Sequence, residues 1–391
     1  MKLSTNGLLI NMPFRKVLQG IRVLDLTSNL PGPLATQMLG DFGADVIKVE
    51  SLQGDNTRHY PPFIKTESVL NLLLNRNKRS IALNIKSKKG LEIFYNLVRT
   101  CDVIIESFRP GTTKKLKIDF DRIKELRPDI IYCSITGYGP DDLRSGHDLN
   151  YVASTGIIHI TGPKELPTPI GVPIADIGGG SLPAVISILA ALLQRNKEAQ
   201  HLNVAITEQL IPWTAIAAST YLAGLDPPKR EDHILSGYNP FYRLFRTKDE
   251  DDRYISFAPL EAKFWGNFCK AIGREDLIGK QFNFEVLNSE LPAIFIQKTQ
   301  LEWEIWFSEN DVPGASVLTI EEALEKKSRL KLTDHPLIGE FPLIASPFLD
   351  EDVTFQPAPR LGEHTKEILE ELGYQEEIDH LKDLGVIGLL V

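Results

Sequence analysis

The sequence predicts an α/β protein: a large domain built on a doubly wound parallel sheet, and a smaller α+β domain. Three observations predict it. Over roughly the first 140 residues, short apolar runs alternate with amphipathic stretches and Gly/Pro-containing loops. At 391 residues the chain is too long for one ordinary core. From about Leu225 the texture changes, beginning with the Pro-rich, charged stretch GLDPPKRED.

The elements follow in order. IRVLDL (Ile21 to Leu26) is an apolar run with one acid inside it and reads as a buried strand. TSNLPGP follows as a loop, LATQMLGDFG as a helix ending near Gly43, and ADVIKVE as the next strand. RSIALNI is a strand, and SKKGLEIFYNLVRT a helix with Ser87 at its start and Leu91, Phe94, Leu97 and Val98 on one face. CDVIIES is a strand ending at the loop FRPG, DFDRIKELRP a helix stopped by Pro128, and DIIYCSI another strand. LPAVISILAALL, from Leu182, is about half of what a membrane span needs and reads as a buried helix. NPFYRLFRTKDEDDRYISFAPL reads as a hairpin with an acidic turn, followed by helices to about residue 330. The rest is Pro-punctuated extended chain ending in a helix. Open α/β sheets bind ligands outside the carboxyl ends of their strands. The loops TSNLPGP, FRPGTTKK and TGYGPDD are therefore where a site is expected.

Composition removes several classes. A net charge of -9 argues against a nucleic-acid partner. The three cysteines, Cys101, Cys133 and Cys269, are far apart with no C-x-x-C, so neither a disulfide framework nor a metal site is expected, and a reducing cytoplasm fits. The N-terminal MKLSTNGLLINMPFRK has too short an apolar run for a signal peptide, and no membrane partner is expected. No G-x-G-x-x-G follows the first strand and no G-x-S-x-G occurs, which disfavours a dinucleotide site and a serine hydrolase.

Four features carry chemistry. Pro31, Gly32 and Pro33 form either a tight turn or a helix N-terminus that meets an anion. Basic residues cluster at Arg76, Lys78, Arg79, Lys86, Lys88 and Lys89, and again at Arg109, Lys114, Lys115 and Lys117. In an acidic protein they point to an anionic ligand, or else to a solvated face. Asp176 stands before three glycines, close to backbone N–H groups that suit an oxyanion; on residue type alone a plain helix cap is the better reading. His147 sits beside Asp148 in SGHDLNYVASTG; Asp148 or Glu261 could orient it, though spacing shows no contact.

Together these segments resemble the class III CoA-transferases of the CaiB/BaiF type, most nearly the α-methylacyl-CoA racemase branch. The match is carried, in order, by GIRVLDLTSNLPGPLATQMLGDFGADVIKVE, NRNKRSIALNIKSKKG, DVIIESFRPG, ITGYGP, GHDLNY, ADIGGG and PAPRLGEHT. The resemblance implies a large domain from 1–225 with 331–391, a small domain at 226–330, and a homodimer whose chains interlock. It implies an acyl-CoA thioester as partner and no cofactor beyond the CoA moiety of the substrate. The nucleotide end of CoA would lie near Arg76, Lys78 and Arg109, with the thioester pointing at Asp176; Phe108, Lys115, Asp148 and Tyr151 would be further CoA or substrate contacts. Asp176 matches the family's catalytic acid. In the transferases it is a nucleophile that passes through a mixed anhydride and an aspartyl-CoA thioester. In the racemases it pairs with a histidine, here His147, oriented by a glutamate, here Glu261. The expected activity is inversion at C2 of a 2-methylacyl-CoA by proton transfer through an enolate. The alternative is CoA transfer between carboxylic acids.

Overall fold

A computed structural model of the chain describes residues 16–194, 198–327, 329–349 and 352–390. Most of the N-terminal stretch read above for a signal peptide lies outside them. The chain divides into two compact units: Met1–Ser154, Val172–Pro212 and Arg329–Val391 form one, and Thr155–Gly171 with Trp213–Ser328 form the other. The first unit takes both chain ends. Residues 155–171 and 213–225, assigned above to the large domain, go with the second unit. The first of these segments is held there by Arg230, whose guanidinium donates to the carbonyls of His159, Pro163 and Lys164.

In the first unit the predicted strands form at β1 (Arg22–Leu26), β2 (Asp45–Glu50), β3 (Lys78–Leu83), β4 (Val103–Glu106) and β5 (Ile131–Thr136), and a strand the sequence did not announce, β6 (Gln200–Ala205), follows. A short β7 (Ile387–Gly388) joins from the C-terminal end. The sheet order is β7-β3-β2-β1-β4-β5-β6. All pairs are parallel except β7 with β3. The order therefore runs outward in both directions from β1, and the connections after β1 and β4 leave on opposite sides. A crevice opens at such a switch point. The register pairs Leu26 with Glu106, so the two strands end level and their loops start side by side.

Helices cover the sheet where the pattern demands. The α1 helix (Pro31–Asp41) starts earlier than expected, because proline suits the first helical positions, where its missing N–H costs nothing. In α2 (Lys88–Val98) the Ser87 hydroxyl accepts from Gly90 N–H, and Ile93, Phe94, Leu97 and Val98 are buried. Helix α3 (Phe120–Leu126) follows β4, and α4 (Asp148–Ala153) follows β5. A π-helical turn, Ala175–Ser181, runs directly into α5 (Leu182–Gln194). The result is a helix of 20 residues, long and apolar enough by length and composition to cross a membrane. The estimate of half a span came from not counting the glycines as helical. Its burial is also one-sided: Ala184, Val185, Ile188 and Ala191 are buried, while Ile186 and Leu193 are 65% and 82% exposed.

The interior of the sheet carries charge. Asp25 on β1, Lys48 on β2 and Lys78 on β3 are all buried. Lys78 Nζ lies 3.0 Å from Asp25, and Lys48 Nζ bonds Asp55 at 2.8 Å and the carbonyl of Thr27 at 3.0 Å. Burial alone would raise the Asp25 carboxyl; the two lysines hold it below the usual carboxylate range. This network pins the loop after β1 to the loop after β2.

The second unit has a three-stranded antiparallel sheet from Arg243–Arg246, Tyr254–Phe257 and Gly314–Ser316. The first two are the predicted hairpin. An aromatic core of Phe257, Trp265, Phe268, Phe295, Trp303 and Phe307 closes over it. Helix α7 (Ala262–Ala271) begins just after Glu261; α6 (Ile206–Leu210) lies in the first unit.

Candidate active site

Two cavities occupy the crevice at the switch point. One, of about 510 Å³, is lined by the ends of β1, β2 and β3, the loop Ser51–Asn56, Lys86, and the short helix Thr112–Leu116. The other, of about 430 Å³, is lined by Ser28, Asn29, Arg109, Ser145, His147, Tyr151 and Asp176 among others. Ser28 and Phe108 line both, so the cavities meet where the β1 and β4 loops touch. Ser28 N–H donates to Ser107 Oγ at 3.2 Å across that junction.

The second cavity brings His147, Tyr151, Arg109 and Asp176 together. Asp176 sits in the π-helical turn, partly buried. Burial first, and the nearby Asp148 charge second, lift its carboxyl to about 6, against a smaller opposite pull from His147. Asp148 opens α4, and its Oδ1 accepts from the backbone N–H of Ala175 at 2.7 Å and of Asp176 at 2.9 Å. Thus Asp148 caps the turn that carries Asp176. Neither cap nor loop describes Asp176 itself: it stands inside a helix whose start another acid satisfies. The glycines after it serve packing. A Cβ on Gly179 would lie 2.6 Å from the Ile206 carbonyl oxygen, and one on Gly180 would lie 2.8 Å from Pro31 Cβ. They let the turn sit tight against α1 and α6.

His147 precedes α4, is exposed, and donates its backbone N–H to Asn150 Oδ1 at 3.0 Å. Tyr151, one turn on, donates its hydroxyl to the Gly146 carbonyl at 2.6 Å and packs edge-on against Tyr138. Burial and the Asp176 charge push the Tyr151 phenol up to about 12, so it stays a neutral donor. Arg109 is exposed and donates to Ser145 Oγ at 2.7 Å.

The structure thus brings Asp176, His147, Tyr151, Phe108 and Arg109 to one cavity, with Asp148 directly behind Asp176. Arg76 and Lys78 are elsewhere. Arg76 is buried, ion-paired with Asp41 at 2.7 Å, and Lys78 is buried against Asp25. Burial brings Lys78 down to about 8. Neither lines a cavity at the switch point, and their place as CoA contacts is withdrawn: both charges are spent inside the fold. Lys115 is exposed on Thr112–Leu116, the helix whose Thr112 and Leu116 line the first cavity. Glu261 belongs to the second unit and is exposed. Sequence reading missed Ser28, Asn29 and Ser145, small polar residues without a charge signature; Lys86 was visible in the basic run but not singled out.

Residues 18–365 match the model of CoA-transferase family III. The chain is 35% identical to succinyl-CoA:glutarate CoA-transferase of Mus musculus, covering 95% of this chain and 90% of that one. It is 30% identical to alpha-methylacyl-CoA racemase of the same species, covering 92% and 94%. A CAIB/BAIF family protein from Brucella suis has the same fold, with a TM-score of 0.78 at 28% identity over 92% of this chain and 100% of that one. The chain therefore belongs to CoA-transferase family III and is an enzyme of either the CoA-transferase or the acyl-CoA racemase kind.

Proposed function

We propose that the protein is an α-methylacyl-CoA racemase-like enzyme that inverts C2 of a 2-methylacyl-CoA. The observation that carries this reading is the pairing of an imidazole, His147, with a carboxyl held near 6, Asp176, on one cavity. An α-proton next to a thioester is weakly acidic. Inversion needs a base on one face and an acid on the other, each able to serve in either direction. A carboxyl lifted toward neutral pH can hold or release a proton at working pH, which an ordinary aspartate does poorly. The CoA nucleotide takes the larger cavity, with Lys86 on its wall and Lys115 on the adjoining helix. The pantetheine arm passes Ser28 and Phe108, and the thioester enters the second cavity. There Ser28 and Asn29 offer donors for the enolate oxygen, while Arg109, beside the junction residue Phe108, meets the CoA phosphates. Glu261 as the acid that orients His147 rests on the family resemblance.

A second reading has specific support. The relative at 35% identity is a CoA-transferase, and an aspartate at the position of Asp176 can attack a thioester. The variants separate the two. In the racemase reading, His147→Ala and Asp176→Asn each abolish net inversion, by about 10²–10⁴-fold. His147→Ala retains slow exchange from the Asp176 face. In the transferase reading, Asp176→Asn abolishes transfer and His147→Ala is tolerated. Robust CoA transfer that survives His147→Ala overturns the racemase assignment.

We further propose that the active form is an interlocked homodimer. The exposed Ile186 and Leu193 of the first unit, and Trp213, Ile216, Tyr221 and Leu222 of the second, are apolar surfaces of the kind a partner chain covers.

A further inference from the structure

A third cavity, of about 620 Å³, shares Phe108, Arg109, Pro110 and Thr136 with the reaction cavity; Glu106, Ser134 and His201 stand on its wall. Glu106 ends β4 and is buried. Its Oε2 accepts from Phe108 N–H at 2.7 Å, and the Ser134 hydroxyl donates to the same carboxyl. Ser134 Oγ lies 3.0 Å from His201 Nε2, and the His201 ring stacks on Phe120 at 4.8 Å. Among the described residues no lysine or arginine is ion-paired with Glu106, and burial pushes its carboxyl up. A buried carboxyl with no countercharge is costly, and its neighbours only partly offset that. The loop it holds lines all three cavities: Phe108 is the one residue they share.

We infer that Glu106 is a positioning residue for CoA: it fixes the Phe108 backbone at the junction of the two CoA cavities, and Ser134 with His201 fixes Glu106. This rests on the reading that CoA spans those cavities. The three loop residues are each tied by a different bond. Ser107 accepts from Ser28, Phe108 donates to Glu106, and Arg109 donates to Ser145. Only the middle tie reaches into the core, so only it sets the depth of the loop. Glutamine keeps an oxygen for Phe108 N–H; alanine does not.

The test is calorimetric titration of the full-length protein with CoA, alongside KM and kcat for its acyl-CoA reaction. Glu106→Ala is expected to weaken CoA binding and raise KM by about tenfold, with kcat within about threefold of the parent. Glu106→Gln is expected to stay within about twofold. Ser134→Ala, which removes only the donor that steadies Glu106, should fall between them. A folded Glu106→Ala protein with parental CoA affinity overturns the inference, as does a Glu106→Gln protein as weak as Glu106→Ala. If Glu106→Ala does not fold, parental CoA affinity in Ser134→Ala overturns it. Failure of the parent itself to bind CoA would instead overturn the reading of the two cavities.

Discussion

At the scale of single residues, Asp176 and its neighbour Asp148 decide how the site responds to pH. The Asp176 carboxyl is raised from 3.8 to about 6, so the native chain holds this proton more tightly than the unfolded chain does. Stability from this group is then full below about pH 4 and is lost as pH rises through 6. The cost above that range is about 1–3 kcal/mol, after allowing for partial exposure. Asp176→Asn has no such proton to lose. Its melting temperature should exceed the parent's by more at pH 7 than at pH 4; an equal gap at both would mean the carboxyl is not raised. Asp148 acts on the same group by charge. Asp148→Asn keeps an oxygen for the N–H groups of Ala175 and Asp176 but removes the like charge. Carboxyl-detected NMR titration should then find Asp176 shifted to lower pH. No movement would leave burial as the whole cause. Arg109→Ala is expected to weaken CoA binding through loss of a charge-assisted contact worth about 1.5–3 kcal/mol, with most of the loss gone at high salt. Unchanged affinity by calorimetry would place Arg109 outside the CoA path.

Among the elements, the strands were legible and the partners of the charges were not. Strands β1 to β5 match the predicted apolar runs within two residues at each end, because parallel strands buried on both faces announce themselves by composition alone. The same burial hid the meaning of NRNKRSIALN. Arg76 meets Asp41 and Lys78 meets Asp25, 35 and 53 residues away, and no local pattern shows such pairing. A basic run at a strand start looked like an anion site and is a buried network. ADIGGG was legible as the place of the acid but not as a helix, since three glycines oppose helix formation locally. Contact with α1 and α6 makes them helical and demands their size. Gly179→Ala puts a Cβ 2.6 Å from a backbone oxygen that is not free to move. It should destabilise the first unit by about 1–3 kcal/mol and lower turnover by displacing Asp176. Parental melting temperature and turnover together would show that the turn has room to spare.

At the scale of the whole molecule, one chain contributes two units, and the exposed apolar side chains of each ask for a covering surface. In the interlocked-dimer reading, folding and association are one event, so dilution should not release folded monomer. Sedimentation that finds a folded monomer at nanomolar concentration would remove that topology. The two chemistries divide on a single atom, the α-proton. A transferase leaves that proton in place and needs an acceptor acid; a racemase moves it and needs none. The most direct measurement incubates the protein with (R)- or (S)-2-methylacyl-CoA in deuterated water, without any acceptor acid, and follows deuterium at C2 by mass spectrometry with the enantiomer ratio. A racemase gives deuterium at C2 together with approach to the racemic mixture, and that is the expected result. Retention of protium and configuration, with CoA transfer appearing once a carboxylic acid is added, would contradict it.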